Sequence, residues 1–199
     1  MALGQDAATP AQQDAERTGG FDTPLGYTYD QSTKPATKLA PAVREQRVPT
    51  YNRETIKSVI GTEVGLSEWT TITQEMVNQF AQLTGDPVRL HTDVELARKT
   101  PFGGTIAHGL LTLSMIGGFC TAAEVLMEGI TMGLNYGFDK VRFVAPVKTG
   151  SRIRGRFHLR SMEERNPGQW VSTMDVTIEI EGESKPALVA EWLGVQLVS

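Results

Sequence analysis

Thr105-Ile106-Ala107-His108-Gly109-Leu110-Leu111-Thr112-Leu113-Ser114-Met115-Ile116-Gly117-Gly118-Phe119, apolar onward to Leu126, is the stretch on which the fold of this 199-residue chain turns. It is apolar nearly all round, which for a helix means burial on most sides. At 1.5 Å per residue a helix from Ile106 to about Leu126 would be roughly 30 Å long, enough to cross a small domain. The segment is therefore expected to be a central helix. It is also the only stretch that could span a membrane, but His108, Glu124 and its glycines favour a buried core helix.

Downstream the pattern changes to period two. Val141, Phe143, Ala145 and Val147 alternate with Arg142 and Val144, and Lys148-Thr149-Gly150 makes a turn. In the next strand Ile153, Gly155, Phe157 and Leu159 share one face, and Arg152, Arg154, Arg156, His158 and Arg160 share the other. After an Asn166-Pro167-Gly168 turn, Trp170, Met174, Val176, Ile178 and Ile180 point inward while Thr173, Asp175, Thr177, Glu179 and Glu181 point out. If these two strands pair as a hairpin, the arginines meet Asp175, Glu179 and Glu181, so a solvated ion ladder is expected rather than a phosphate cradle. The last strand, Ala187 to Val198, is apolar on both faces, as a central position requires. One long helix followed by an antiparallel sheet is an α+β domain.

Upstream, Thr55 to Ile60 reads as a short helix and Glu63 to Ile72 as a first strand. Met76, Val77, Phe80 and Leu83 recur at helical spacing, with Thr71 or Thr73 able to cap the start and Gly85 placed to end it. Asp86 thus falls just past a helix terminus, and Asp93 is a cap for a short helix over Val94 to Arg98, closed by Lys99-Thr100-Pro101. Residues 1–48 carry no sustained apolar period and read as a flexible tail before a domain over 49–199.

Composition narrows the function classes. With 40% hydrophobic and 21% charged residues the chain suits one globular domain. A net charge of −4 gives no reason to expect a nucleic-acid partner. No charged start precedes an apolar run at the N-terminus, so a cytoplasmic location without a membrane partner is expected. The single cysteine, Cys120, allows no internal disulfide and reads as a small buried hydrophobe.

Asp86 and His91 lie in a Gly/Pro-interrupted loop, and Pro101 to Gly104 then lead into the apolar helix. Polar groups on a loop held against a rigid helix form an active-site layout. Five residues across a loop allow the acid and the imidazole to converge, although a Gly-Asp turn and a merely packed histidine would share the pattern. A metal site would recruit Asp93 or His108, but Asp-x4-His-x-Asp matches no spacing with a mechanical rationale, and neither metal nor cofactor is expected. His108-Gly109 opens the helix, where free N–H groups and the positive dipole end suit a developing oxyanion. Alternatively, Gly109, Gly117 and Gly118 serve to let the sheet wrap closely on the helix.

These residues resemble the MaoC-like dehydratase and (R)-specific enoyl-CoA hydratase family, whose motif runs Gly-Asp-x-Asn-Pro-Leu-His and later His-Gly. Gly85, Asp86, Leu90, His91, His108 and Gly109 match it in spacing. The subgroup named for nodulation protein N adds Pro101 to Gly109, Asn135-Tyr136-Gly137, Val141-Arg142-Phe143 and Lys185 to Trp192. Val88 and Arg89 stand where the motif has asparagine and proline. The resemblance implies a hotdog fold, an antiparallel sheet wrapped around one long helix, and a homodimer. It also implies reversible hydration of a trans-2-enoyl-CoA thioester to the (R)-3-hydroxyacyl-CoA. Asp86 and His91 would hold and activate the water, and the Gly109 N–H would bind the thioester oxygen. A hotdog acyl-CoA thioesterase and a non-catalytic acyl-thioester-binding protein are the alternatives.

Overall fold

The computed structural model describes residues 48–199, so the tail expected over residues 1–48 lies, except for Val48, outside the described residues. In chain order the strands are β1 (Thr50–Tyr51), β2 (Glu63–Leu66), β3 (Thr70–Thr71), β4 (Leu126–Met127), β5 (Ile130–Phe143), β6 (Arg152–Asn166), β7 (Gln169–Ile180) and β8 (Leu188–Val198). The helices are α1 (Gln74–Thr84), α2 (Arg89–Thr92), α3 (Val94–Ala97), α4 (Gly109–Ser114) and α5 (Ile116–Phe119). Short 3-10 turns cover Thr55–Ser58 and Cys120–Ala122. The main sheet runs β2-β6-β7-β8-β5, every pair antiparallel, with β3 also on β6. The α+β reading holds, and β8 lies between two neighbours as its two apolar faces required.

The central helix is shorter than its apolar sequence suggested. It occupies Gly109–Ser114 and Ile116–Phe119 and tightens into the 3-10 turn at Cys120–Ala122, about 20 Å in all. Tertiary hydrogen bonds take both of the expected ends. Ile106 bridges to Lys148, and the Ala107 N–H donates to the Val147 carbonyl at 2.8 Å. At the far end, the Gln196 side chain accepts the Met127 N–H at 2.8 Å and donates to the Val125 carbonyl at 2.6 Å, drawing β4 into parallel pairing with β1.

Two strand boundaries also differ from expectation. The stretch 63–72 is two short strands, because Ser67 leaves the ladder: its Oγ accepts the Gly155 N–H and its own N–H donates to the Gly155 carbonyl, each at 2.9 Å. β5 ends at Phe143 rather than Val147. Val144 and Ala145 both donate to the Ala187 carbonyl, and Pro146 has no N–H to continue a ladder.

The helix buries Leu111, Ile116 and Phe119 against Ile153, Phe157, Ile178 and Leu188 of the sheet. The close approach does not involve Gly117 or Gly118, where an added Cβ would meet nothing within 4 Å. It occurs on the sheet side: a Cβ at Gly65 would lie 2.2 Å from the Ala122 carbonyl oxygen, and one at Gly155 would lie 3.0 Å from Phe119 Cβ.

On the opposite face of the sheet the arginine row is an ion ladder, as the hairpin register implied. Arg154 and Arg156 bond Glu179 at 2.6 and 2.7 Å, and Arg152 bonds Glu181 at 2.8 Å. Arg160 pairs with both Asp175 and Glu191, which Lys140 also reaches at 2.7 Å. Partial burial pushes the Glu179 carboxyl upward, but the Arg156 and Arg154 guanidinium groups outweigh it and hold the carboxyl below its ordinary value. A depressed carboxylate pKa contributes stability above the unfolded value and loses it as pH falls through the folded value. The Tm difference between wild type and Glu179→Gln is therefore expected to be present at pH 7 and to close below about pH 4. A difference that stays constant through the acid limb would show that the Glu179 charge adds nothing to stability.

Candidate active site

α1 starts where expected, with Thr73 Oγ1 accepting the Met76 N–H at 3.2 Å, and ends at Gly85 in the left-handed conformation with φ 68°. This turn delivers Asp86, whose N–H donates to the Ala81 carbonyl at 3.0 Å and whose carbonyl accepts from His108 Nε2 at 3.0 Å. The Asp86 backbone is thus held on both sides while its side chain is exposed and, among the described residues, forms no ion pair.

His91 sits on α2 and is half-buried. Its Nδ1 lies 2.7 Å from the Ile106 carbonyl oxygen. A carbonyl only accepts, so Nδ1 carries a proton and Nε2 is the nitrogen left to exchange one with a ligand. The His91 backbone is fixed as well: Gln74 Nε2 donates to its carbonyl at 2.8 Å, and Gln74 Oε1 accepts from the buried Thr105 hydroxyl at 2.6 Å.

Gly109 is the first residue of α4, so its N–H has no carbonyl one turn earlier to bond. The Phe143 ring lies so close that a Cβ on Gly109 would be 3.0 Å from it. His91, Ile106, Gly109, Thr112, Phe143 and Val147 line one cavity of about 300 Å³. His91 and Gly109 therefore share a space, whereas Asp86 lies outside the lining and joins them through its backbone. The link is His108, whose ring centroid is 3.9 Å from that of His91 and 5.1 Å from that of Phe80.

Other candidates are occupied elsewhere. The Asp93 carboxylate accepts the Leu96 N–H at 2.9 Å and pairs with Arg89 at 2.7 Å. These contacts, the backbone one first, hold its carboxyl below the ordinary value. Among the described residues no cluster of three or more His, Cys, Asp or Glu is arranged to hold a metal ion. Cys120 is half-buried rather than buried as expected, and burial, followed by the nearby Glu124 charge, pushes its thiol up. Among the described residues no helix is long and apolar enough to cross a membrane. The residues that pattern reasoning missed are Phe143 and the polar contact of His108. The signal for the second was slight: two of only three histidines flank the same Pro/Gly-rich segment.

Residues 55–180 match the family model described as MaoC like domain. Nodulation protein N of Rhizobium leguminosarum bv. viciae is 48% identical over 141 residues, spanning 70% of this chain and 88% of that protein. The chain belongs to the MaoC-like dehydratase family. A second relative, 3-hydroxyacyl-thioester dehydratase Z of Mycobacterium tuberculosis, is 44% identical over 136 residues, 68% of this chain and 89% of that protein. Among solved structures, the monoamine oxidase regulatory protein of Archaeoglobus fulgidus superimposes with a TM-score of 0.62 at 27% identity, covering 75% of this chain and 98% of that one. The A. caviae (R)-hydratase matches with a TM-score of 0.55 at 24% identity, over 66% of this chain and 95% of its own, a likeness of fold. The MaoC-like domain here thus has the hotdog fold. At the two departures from the motif, Val88 is exposed and Arg89 pairs with Asp93.

Proposed function

We propose that this MaoC-like protein catalyses the reversible hydration of a trans-2-enoyl thioester, with coenzyme A as the carrier, to the (R)-3-hydroxyacyl thioester. The observation that carries the reading is the pairing, across one cavity, of a His91 ring whose free nitrogen is Nε2 with a Gly109 N–H that has no partner among the described residues. In the hydration direction His91 Nε2 and the Asp86 carboxylate hold the water and take its proton as its oxygen bonds the β-carbon. The Gly109 N–H bonds the thioester oxygen, where negative charge gathers. A proton then returned to the α-carbon completes addition of water across the double bond. The family relationship to a 3-hydroxyacyl-thioester dehydratase supports the same chemistry in the reverse direction.

The test is purified protein with crotonyl-CoA, following loss of the conjugated-enoyl absorbance and the configuration of the 3-hydroxybutyryl product. Free crotonic acid would make the protein a thioesterase. Binding without turnover would make it an acyl-thioester carrier or sensor.

The functional unit is proposed to be a homodimer. Among the described residues β5 pairs with β8 alone, leaving a 14-residue edge on which Met132, Leu134 and Tyr136 are 52%, 51% and 68% exposed. A long apolar edge of that kind is a template for strand pairing unless a partner covers it. Sedimentation at micromolar concentration should give about twice the 21.7 kDa chain mass, and Leu134→Lys with Tyr136→Lys should shift it toward the monomer. A monomeric wild-type protein would overturn the assignment.

A further inference from the structure

His108 is 3% exposed, yet its Nδ1 has no hydrogen-bond partner among the described residues. Its Nε2 is the ring's one polar anchor and donates to the Asp86 carbonyl, 22 residues earlier in the chain. The same ring packs between Phe80 of α1 and His91 of α2. If packing were the purpose, phenylalanine would fill this space and spare the fold a buried nitrogen without a partner. What histidine adds is the Nε2–H bond to the loop that carries Asp86. The stack on His91 means that one rigid ring, itself fixed at the start of α4, touches both loop groups.

We propose that His108 is a positioning residue. Its Nε2–H holds the Asp86 loop and its ring face holds His91, so that the carboxylate and the imidazole keep one relative placement and act on the same water. The proposal rests on the roles given above to Asp86 and His91. Reacting groups tolerate little displacement, and a misplacement of about 1 Å is enough to lower a rate some 10²-fold. The Asp86 side chain, exposed and outside the cavity lining, makes no polar contact of its own among the described residues, so its placement follows from its backbone, which the bonds to Ala81 and from His108 hold.

Two variants separate positioning from packing. His108→Phe keeps the ring and the stack but removes the donor, and His108→Gln restores an amide donor on a side chain of similar reach. In His108→Phe, kcat on crotonyl-CoA should fall about 10–100-fold with KM within about twofold, while the Tm stays level or rises because the unpartnered nitrogen is gone. His108→Gln should recover most of the lost rate. Amide hydrogen exchange over Thr84–Thr92 should quicken in His108→Phe and remain near wild type in His108→Gln. A His108→Phe enzyme with wild-type kcat, or a His108→Gln no better than it, overturns the proposal. So does a parallel loss of Tm and rate, or a failure of His108→Phe to fold, since the ring would then be a structural member. The exchange measurement needs no turnover: a wild-type protein without hydratase activity would sink the functional reading while loop exchange still decides whether His108 holds Asp86.

Discussion

Asp86→Asn and His91→Ala should each lower turnover of crotonyl-CoA by about 10²–10⁴, the range associated with positioned acid–base groups. Asp86→Asn preserves size and leaves untouched the two backbone bonds that hold the residue, from its N–H to Ala81 and to its carbonyl from His108. Only the carboxylate charge is lost, so the Tm should not move. His91→Ala removes the bond from Nδ1 to Ile106 and the stack on His108, and a drop in stability of about 1 kcal/mol is expected for one net hydrogen bond. Because both groups are proposed to serve one water, the double variant should lose little more rate than the worse single one. Thermal melting beside initial rates checks all three. A variant with native melting and near-native rate would remove its residue from the mechanism, and rate losses that multiply in the double variant would show that the two act on separate steps.

Gly109→Ala should cost about 10²–10³ in kcat, comparable to loss of one oxyanion donor. The added methyl projects into the cavity shared with His91 and would come within 3.0–3.1 Å of the Phe143 ring. Phe143 is 53% exposed and can swing outward, so the fold should tolerate the change. In the proposed reaction the thioester oxygen, by contrast, must come within hydrogen-bonding distance of the Gly109 N–H, which a Cβ hinders. Pairing the change with Phe143→Ala separates the effects: the double variant should melt no lower than Phe143→Ala alone yet remain as slow as Gly109→Ala. Recovery of the rate in the double variant would mean that the methyl acted only by displacing the ring, and the oxyanion role would pass from Gly109.

Much of this fold was legible because it depends on short-range rules. The alternation in β6 and β7 fixed which side chains face the helix, and from that the pairing of Arg154 with Glu179 and of Arg152 with Glu181 follows. The caps Thr73 and Asp93 and the stop at Gly85 involve neighbours three or four residues away, so the residues themselves announce them. The Asp86–His91 loop and the His108-Gly109 helix start were visible as motif and spacing for the same reason. The helix ends were not, since an apolar run says that a segment is buried but not where its backbone finds partners. Val147 claims Ala107 from 40 residues downstream and Gln196 claims Val125 from 71, bonds that exist only once the sheet has closed. The candidate site belongs with these. His91, His108 and Gly109 gather because α2, α4 and the end of β5 pack together, and the bond that ties Asp86 to them joins a side chain to a backbone carbonyl, an acceptor every residue carries. Sequence determined which residues could do the chemistry; only the packed structure decided which of them meet, because backbone acceptors and ring stacks carry no residue-type signature along the chain.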